Sequence, residues 1–251
     1  MAINEVFPKP TVKQVIFGIR FPNLFYMENK IGSLQEKIMK QFPKSALVYR
    51  RQIVIADMGP KVKIEDIKDL DKGLGRKLWQ FDSDKGFKLE ILNDSLSIVS
   101  EHHKTYALEG DKFRDTIEFV MSRFLEVVSI PIFSHIGLRY IDECPIISKD
   151  NSTFTSYYNS IFPIERFNLA DVSELDFKTV IKKGTYYLRY KEILKNTGTE
   201  YKLILDFDGF AKDIIPENYL GVTDELHTII SDEYEKTIKE PVYTYMRRVE
   251  G

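Results

Sequence analysis

The chain has a single cysteine, Cys144, among its 251 residues. It can form no intramolecular disulfide, which suits a reducing compartment and argues against a small disulfide-stapled secreted fold. Long apolar runs are missing too. No stretch approaches the roughly 18 uninterrupted apolar residues of a membrane-spanning helix. The opening MAINEVFPKP lacks the apolar segment of a signal peptide. Metal signatures are scarce: His102, His103, His135 and His227 show no His-x3-His spacing, and one cysteine allows no Cys-x2-Cys pair. Nor is there a Gly-x-Ser-x-Gly elbow, a P-loop or a dinucleotide fingerprint. These absences predict a soluble cytoplasmic protein without a membrane segment and with no cofactor.

What is present is ordinary for a globular chain. Hydrophobic residues make up 43% and charged residues 29%, enough apolar material to oppose wholesale disorder. Aromatic residues reach 13%, rich in Phe and Tyr, which favours strands. The net charge of −2 conceals an asymmetry. Residues 1–77 carry 15 Lys/Arg against 8 Asp/Glu, whereas residues 78–251 carry 21 against 30. A basic first third could steer a nucleic acid, but its charges are interleaved rather than clustered, and solvated surface is the simpler reading.

Residues 12–21 alternate, with Val15, Phe17, Ile19 and Phe21 on one face and Ile16, Gly18 and Arg20 on the other, as a half-buried strand does. A helix is expected over 26–41, a strand over 46–57 and a polar loop over 59–76. Strands at 77–82, 86–92 and 95–102, separated by Asp84-Lys85-Gly86 and Asn93-Asp94, predict an antiparallel meander. The strongest helix signal spans 109–128, with Phe113, Ile117, Val120, Met121 and Phe124 along one side. After it come a strand at 133–143, a hairpin over 175–194, a third strand at 200–207 and a last helix over 220–239. Strands arrive in runs, so the expected class is α+β, mostly antiparallel sheet with long packed helices. The chain reads as one α+β unit, 1–251. Its halves, 1–108 and 109–251, each pair a long helix with an Arg-bearing strand, which leaves room for two similar lobes.

That pairing rests on an echo. Gly18-Ile19-Arg20-Phe21 returns as Gly137-Leu138-Arg139-Tyr140, and more faintly as Tyr187-Leu188-Arg189-Tyr190. Side chains two apart on a strand share a face, so each glycine leaves bare backbone beside a guanidinium. Were the strands adjacent, Arg20 and Arg139 could form a fork for a carboxylate or phosphate. The plainer reading has both arginines on the less buried sheet face, covering aromatics or pairing with acids. Asp206 and Asp208 likewise share a face and could hold Mg or Mn for phosphodiester hydrolysis, with a third ligand from Asp142, Glu143 or Glu90. The plainer reading there is a salt bridge to Arg139 or Arg189. Cys144 precedes Pro145 in no thiolate-stabilising context. The acidic run Ser231-Asp232-Glu233-Tyr234-Glu235 reads as a solvated helix face, or as a docking surface for a basic partner.

Ile19-Arg20-Phe21, Leu138-Arg139-Tyr140-Ile141-Asp142 and Leu205-Asp206-Phe207-Asp208, with Leu226-His227 on the helix that follows, resemble a known pattern. It is similar to that of a family of uncharacterised prokaryotic proteins of about this length, sporadically distributed among genomes. Two departures are visible: Gly18 stands where that pattern has an acid, and Asp142 where it has asparagine. The resemblance implies no activity. It implies, by association, a setting among mobile-element-linked defence or toxin–antitoxin systems. The expectation is therefore a non-enzymatic interaction or regulatory module whose partner is another protein. The competing expectation is a metal-dependent phosphodiesterase or nuclease built on Asp206 and Asp208, with Arg20 and Arg139 binding phosphate.

Overall fold

The computed structural model describes residues 5–51, 75–103, 105–108, 110–196 and 201–248. Nine strands form one antiparallel sheet: β1 (Val12–Arg20), β2 (Lys44–Arg51), β3 (Gly75–Asp82), β4 (Phe87–Leu92), β5 (Ser95–Ser100), β6 (His135–Cys144), β7 (Glu174–Lys183), β8 (Tyr186–Asn196) and β9 (Tyr201–Ala211). Their spatial order is β2-β3-β4-β5-β1-β6-β9-β8-β7. Five α-helices are described: α1 (Met27–Ile38), α2 (Phe113–Val127), α3 (Asn151–Tyr157), α4 (Tyr219–Thr237) and α5 (Glu240–Met246).

This corrects the expected architecture. The molecule is mostly sheet with helices of short to moderate length; it is not built from long packed helices, and it does not divide into two lobes. Each half of the chain does build its own run of strands. But β1 and β6 pair with each other at the centre, and side chains from both halves enter one buried cluster. Two separate sheets would each have left an extra row of unpaired backbone N–H and C=O groups, and joining β1 to β6 removes both.

Local chemistry accounts for the elements. Val15, Phe17 and Ile19 are fully buried on β1, while Arg20 at its end is exposed. Gly184, at φ +62°, makes the two-residue turn between β7 and β8 that a side chain would strain. Asp150 caps α3, its carboxylate accepting from the Thr153 backbone N–H at 2.7 Å. α2 begins at Phe113 rather than at 109, and the expected last helix stops at Thr237, with Pro241 then starting the separate α5. The expected strand beyond residue 51 and the glycine-containing loop before residue 75 lie outside the described residues.

Buried side chains of β1, β6 and β9, among them Phe17, Leu138, Leu205 and Phe207, lie on one sheet face, and the helices pack there. Each such large side chain contributes about 1.5–3 kcal/mol by leaving water. α4 crosses β6, β9 and β8, and its approach is closest at Gly209, where an added Cβ would meet Ile230 Cδ1 at 3.3 Å. Glu192 is fully buried on the same face of β8 but well satisfied. It accepts from the Ile161 N–H (3.1 Å), from Tyr190 Oη (3.0 Å) and from Ser160. Among the described residues no helix is long and apolar enough to cross a membrane.

Candidate functional site

The second face of the sheet holds the residues singled out by the sequence. Gly18 is opposite Gly137, which sets Arg20 opposite His135 and Arg139 opposite Ile16. The two arginines therefore sit four register positions apart, about 13 Å along the sheet. They form no fork. Arg139 is held instead by Asp206 in a two-pronged ion pair, Nε to Oδ1 and Nη2 to Oδ2, both 2.7 Å. Lys191 lies 3.6 Å from the same carboxylate, and Arg189 pairs with Asp208. Arg20 is exposed and, among the described residues, makes no ion pair.

Those pairings weigh against the metal reading of Asp206 and Asp208. Arg139 and Lys191 sit against the Asp206 carboxylate and Arg189 against that of Asp208. Of the further ligands considered, Asp142 points to the opposite face and Glu143 pairs with Lys202 at 3.4 Å. Among the described residues no group of three His, Cys, Asp or Glu side chains is placed to hold a metal ion. His135 stacks on Phe210 (5.4 Å, 24°); burial and the charges of Arg20, Arg189 and Lys212 hold its pKa below the ordinary value. Cys144 is buried, and burial, then the charge of Asp142, pushes its thiol well above the ordinary range, so it is no nucleophile.

The helix-side face holds an arrangement that the sequence did not announce. A cavity of about 420 Å³ opens between β6, α4 and the segment linking β5 to α2. That volume is in the range that takes a small molecule. On one wall Tyr106 stacks flat on His227, with ring centroids 4.1 Å apart and planes at 11°. Asp224, one turn before His227 on α4, fixes that wall. It accepts from Tyr106 Oη at 2.7 Å and from Arg114 Nε and Nη2 of α2 at 2.9 and 3.0 Å. On the other wall His103 meets Tyr140 edge-on at 5.4 Å. Among the described residues the buried Tyr140 hydroxyl has no hydrogen-bond partner. At the floor Tyr234 donates to Thr11 (2.6 Å), which donates to Asp142 (2.8 Å).

Burial sets the charge state of this pocket. His103 and His227 are each lowered to about 4. Desolvation is the main cause for both; the nearby His227 adds to it at His103, and Asp224 opposes it at His227. Asp142 is raised to about 7 by burial, against the Thr11 hydrogen bond, with the Asp206 charge adding to the rise. Tyr140 is pushed well above its ordinary value by burial and by Asp142. At neutral pH the pocket thus presents the uncharged imidazoles of His103 and His227 and the uncharged phenols of Tyr106, Tyr140 and Tyr234. Its charged side chains are paired, Arg114 with Asp224 and, at the rim, Glu5 with Arg247, while Asp142 at the floor is partly protonated at neutral pH. Such walls suit an uncharged ligand with a flat apolar body and one or two hydrogen-bonding groups. Ser231 Oγ lies 3.5 Å from His227 Nε2 on the same helix, at the outer limit of a hydrogen bond.

The sequence offers no spacing that links the histidines to one another or to Tyr140. One signal was available: Asp142 alternates onto the apolar face behind Leu138 and Tyr140, where a carboxylate is unexpected unless partnered. Nothing along the chain links His103 to His227, which the fold brings into one cavity. Comparison of the chain with protein-family models, with curated proteins and with solved structures gives no match.

Proposed function

We propose that the chain is a non-enzymatic regulatory module that binds a small, uncharged, largely apolar molecule between β6 and α4 and relays its occupancy to a protein partner. One observation carries the reading. A single cavity gathers His103, His227, Tyr106 and Tyr140, all held neutral, and among the described residues the buried Tyr140 hydroxyl has no hydrogen-bond partner. Polar groups gathered in an apolar cavity specify how a ligand is oriented, whereas a core under no such demand favours residues without polar atoms. The relay runs through α4, which supplies one wall of the cavity and also packs on three strands. The resemblance to a sporadically distributed prokaryotic family adds a setting, a cytoplasmic defence or toxin–antitoxin system. The buried Cys144 thiol fits a reducing compartment.

The test uses N-phenyl-1-naphthylamine, an uncharged probe that fluoresces when it leaves water. Saturable fluorescence and a raised melting temperature are expected for the intact chain. Both should be lost in Ser231→Phe, which fills the cavity, while circular dichroism verifies that the variant is folded. Absence of saturable binding to the intact chain, or equal binding to folded Ser231→Phe, sinks the reading.

A further inference from the structure

β7 ends the sheet, with β8 as its only strand neighbour. Among the described residues its outer row of N–H and C=O groups receives no backbone hydrogen bond from any other segment. It is a ten-residue strand with no proline and an unbroken register against β8. Edges of this length are normally shortened, bulged or covered, because they template pairing with another chain. Both faces of β7 are open. Phe177 and Ile181 are exposed on the helix side, and Asp176, Val180 and Lys182 on the other.

The sequence of the strand, Glu-Leu-Asp-Phe-Lys-Thr-Val-Ile-Lys-Lys, runs from acidic to basic and so can complement its own reverse. A two-fold axis perpendicular to the sheet pairs residues of like face. Centred on Thr179, it sets Phe177 against Ile181 and Asp176 against Lys182, each twice, with Thr179 facing Thr179. Those three kinds of pair stabilise neighbouring strands, while Lys178 against Val180 and Leu175 against Lys183 bring no like charges together. Centred on Lys178 instead, it would pair Glu174 with Lys182 but set Lys178 against Lys178; centred on Phe177 it would pair Asp176 with Lys178 over a shorter overlap, 174–180 rather than 175–183. The acidic half of β7 thus selects the basic half of a second copy, and the contact closes on itself.

We infer that β7 is a homodimer interface: two copies pair their β7 strands antiparallel about Thr179, joining two nine-stranded sheets edge to edge. This contact lies two strands away from β9 and three from β6, which wall the cavity, so it stands or falls independently of ligand binding. The occupant is a second copy because the same strand supplies both halves of the charge match. The opposite edge, β2, offers Lys44 but no acid within Lys44–Arg51 to answer Lys182.

Sedimentation velocity of the full chain over a wide concentration range tests the inference. A monomer–dimer equilibrium is expected. Asp176→Lys should weaken it by about tenfold or more, since each copy then sets lysine against Lys182. The exchange Asp176→Lys with Lys182→Asp should restore it, an outcome that mere damage to the strand could not produce. Under oxidation Thr179→Cys should link the two copies through a disulfide, while Val180→Cys, off the axis, should not. A monomer at every concentration overturns the inference. So does a dimer indifferent to Asp176→Lys, or open-ended polymers of the kind that β7 pairing with β2 would give.

Discussion

Gly18 of β1 faces Gly137 of β6 at the middle of the sheet, so the two copies of the repeated unit meet as the seam between the chain's halves. Their shared residues are shared because both strands bury one face, Ile19 and Phe21 in one copy and Leu138 and Tyr140 in the other. The glycines differ in what surrounds them. A Cβ on Gly18 would find only the Leu96 carbonyl oxygen at 3.8 Å, whereas one on Gly137 would meet His135 Nε2 at 3.1 Å and the Gly209 carbonyl oxygen at 3.5 Å. Gly18→Ala should stay within about 0.5 kcal/mol of the parent in urea denaturation. Gly137→Ala should lose about 1 kcal/mol or more as the imidazole is displaced. Equal effects at the two positions would contradict the geometry.

The Arg139–Asp206 pair makes a prediction about metals as well as stability. Asp206→Asn should cost about 1–3 kcal/mol, because it weakens a charge-assisted pair whose acid is buried. Arg139 retains access to water, which places the loss toward the lower end. Mg²⁺ or Mn²⁺ added to the parent should leave the thermal midpoint unchanged, the carboxylates being already paired. A metal-induced rise in midpoint that disappears in Asp206→Asn would reverse that conclusion.

Stability should pass through a maximum near neutral pH. His103 and His227 are lowered to about 4 from an unfolded value near 6.5, so their contribution is intact above about 6.5 and lost as pH falls toward 4. Asp142 is raised to about 7 from an unfolded value near 3.9, so its contribution is intact in acid and lost as pH rises from about 4 to 7. Each group tilts the profile by up to about 1.4 kcal/mol per pH unit, and two histidines outweigh one aspartate between pH 4 and 6.5. His227→Gln should flatten that limb, and Asp142→Asn should steepen it while raising stability at pH 7. Urea titrations at several pH values, variant against parent, check both signs.

Cys144 should resist thiol reagents in the folded protein. It is 3% exposed, and its thiol is held protonated. Labelling by a disulfide reagent should therefore follow unfolding, and accelerate with urea in step with loss of circular dichroism. Rapid stoichiometric labelling under native conditions would show the site to be open.

Much of the sheet was legible because period-2 alternation and turn chemistry are local. The hairpin of β7 and β8, the meander of β3 to β5 and the opposed faces of β6 all follow from residues that are neighbours in sequence. The candidate site was not legible for the converse reason. Arg139 and Asp206 were each visible as polar residues on a strand, but only the β6–β9 register shows that they are spent on one another. His103, Tyr106, Tyr140, Asp142 and His227 come from separate segments, and no spacing rule connects them.

The sequence by itself determined which face of each strand is apolar, where the chain turns, and that no disulfide can form within it, since those properties depend on side-chain type and short-range geometry. Tertiary structure decided what those strands became. Pairing β1 with β6 made one sheet where the pattern allowed two, because a strand's alternation specifies its buried face but not its neighbour. The same long-range packing enclosed two histidines beside Tyr140 and thereby fixed their charge, because desolvation depends on the whole surroundings of a group and not on its place in the chain.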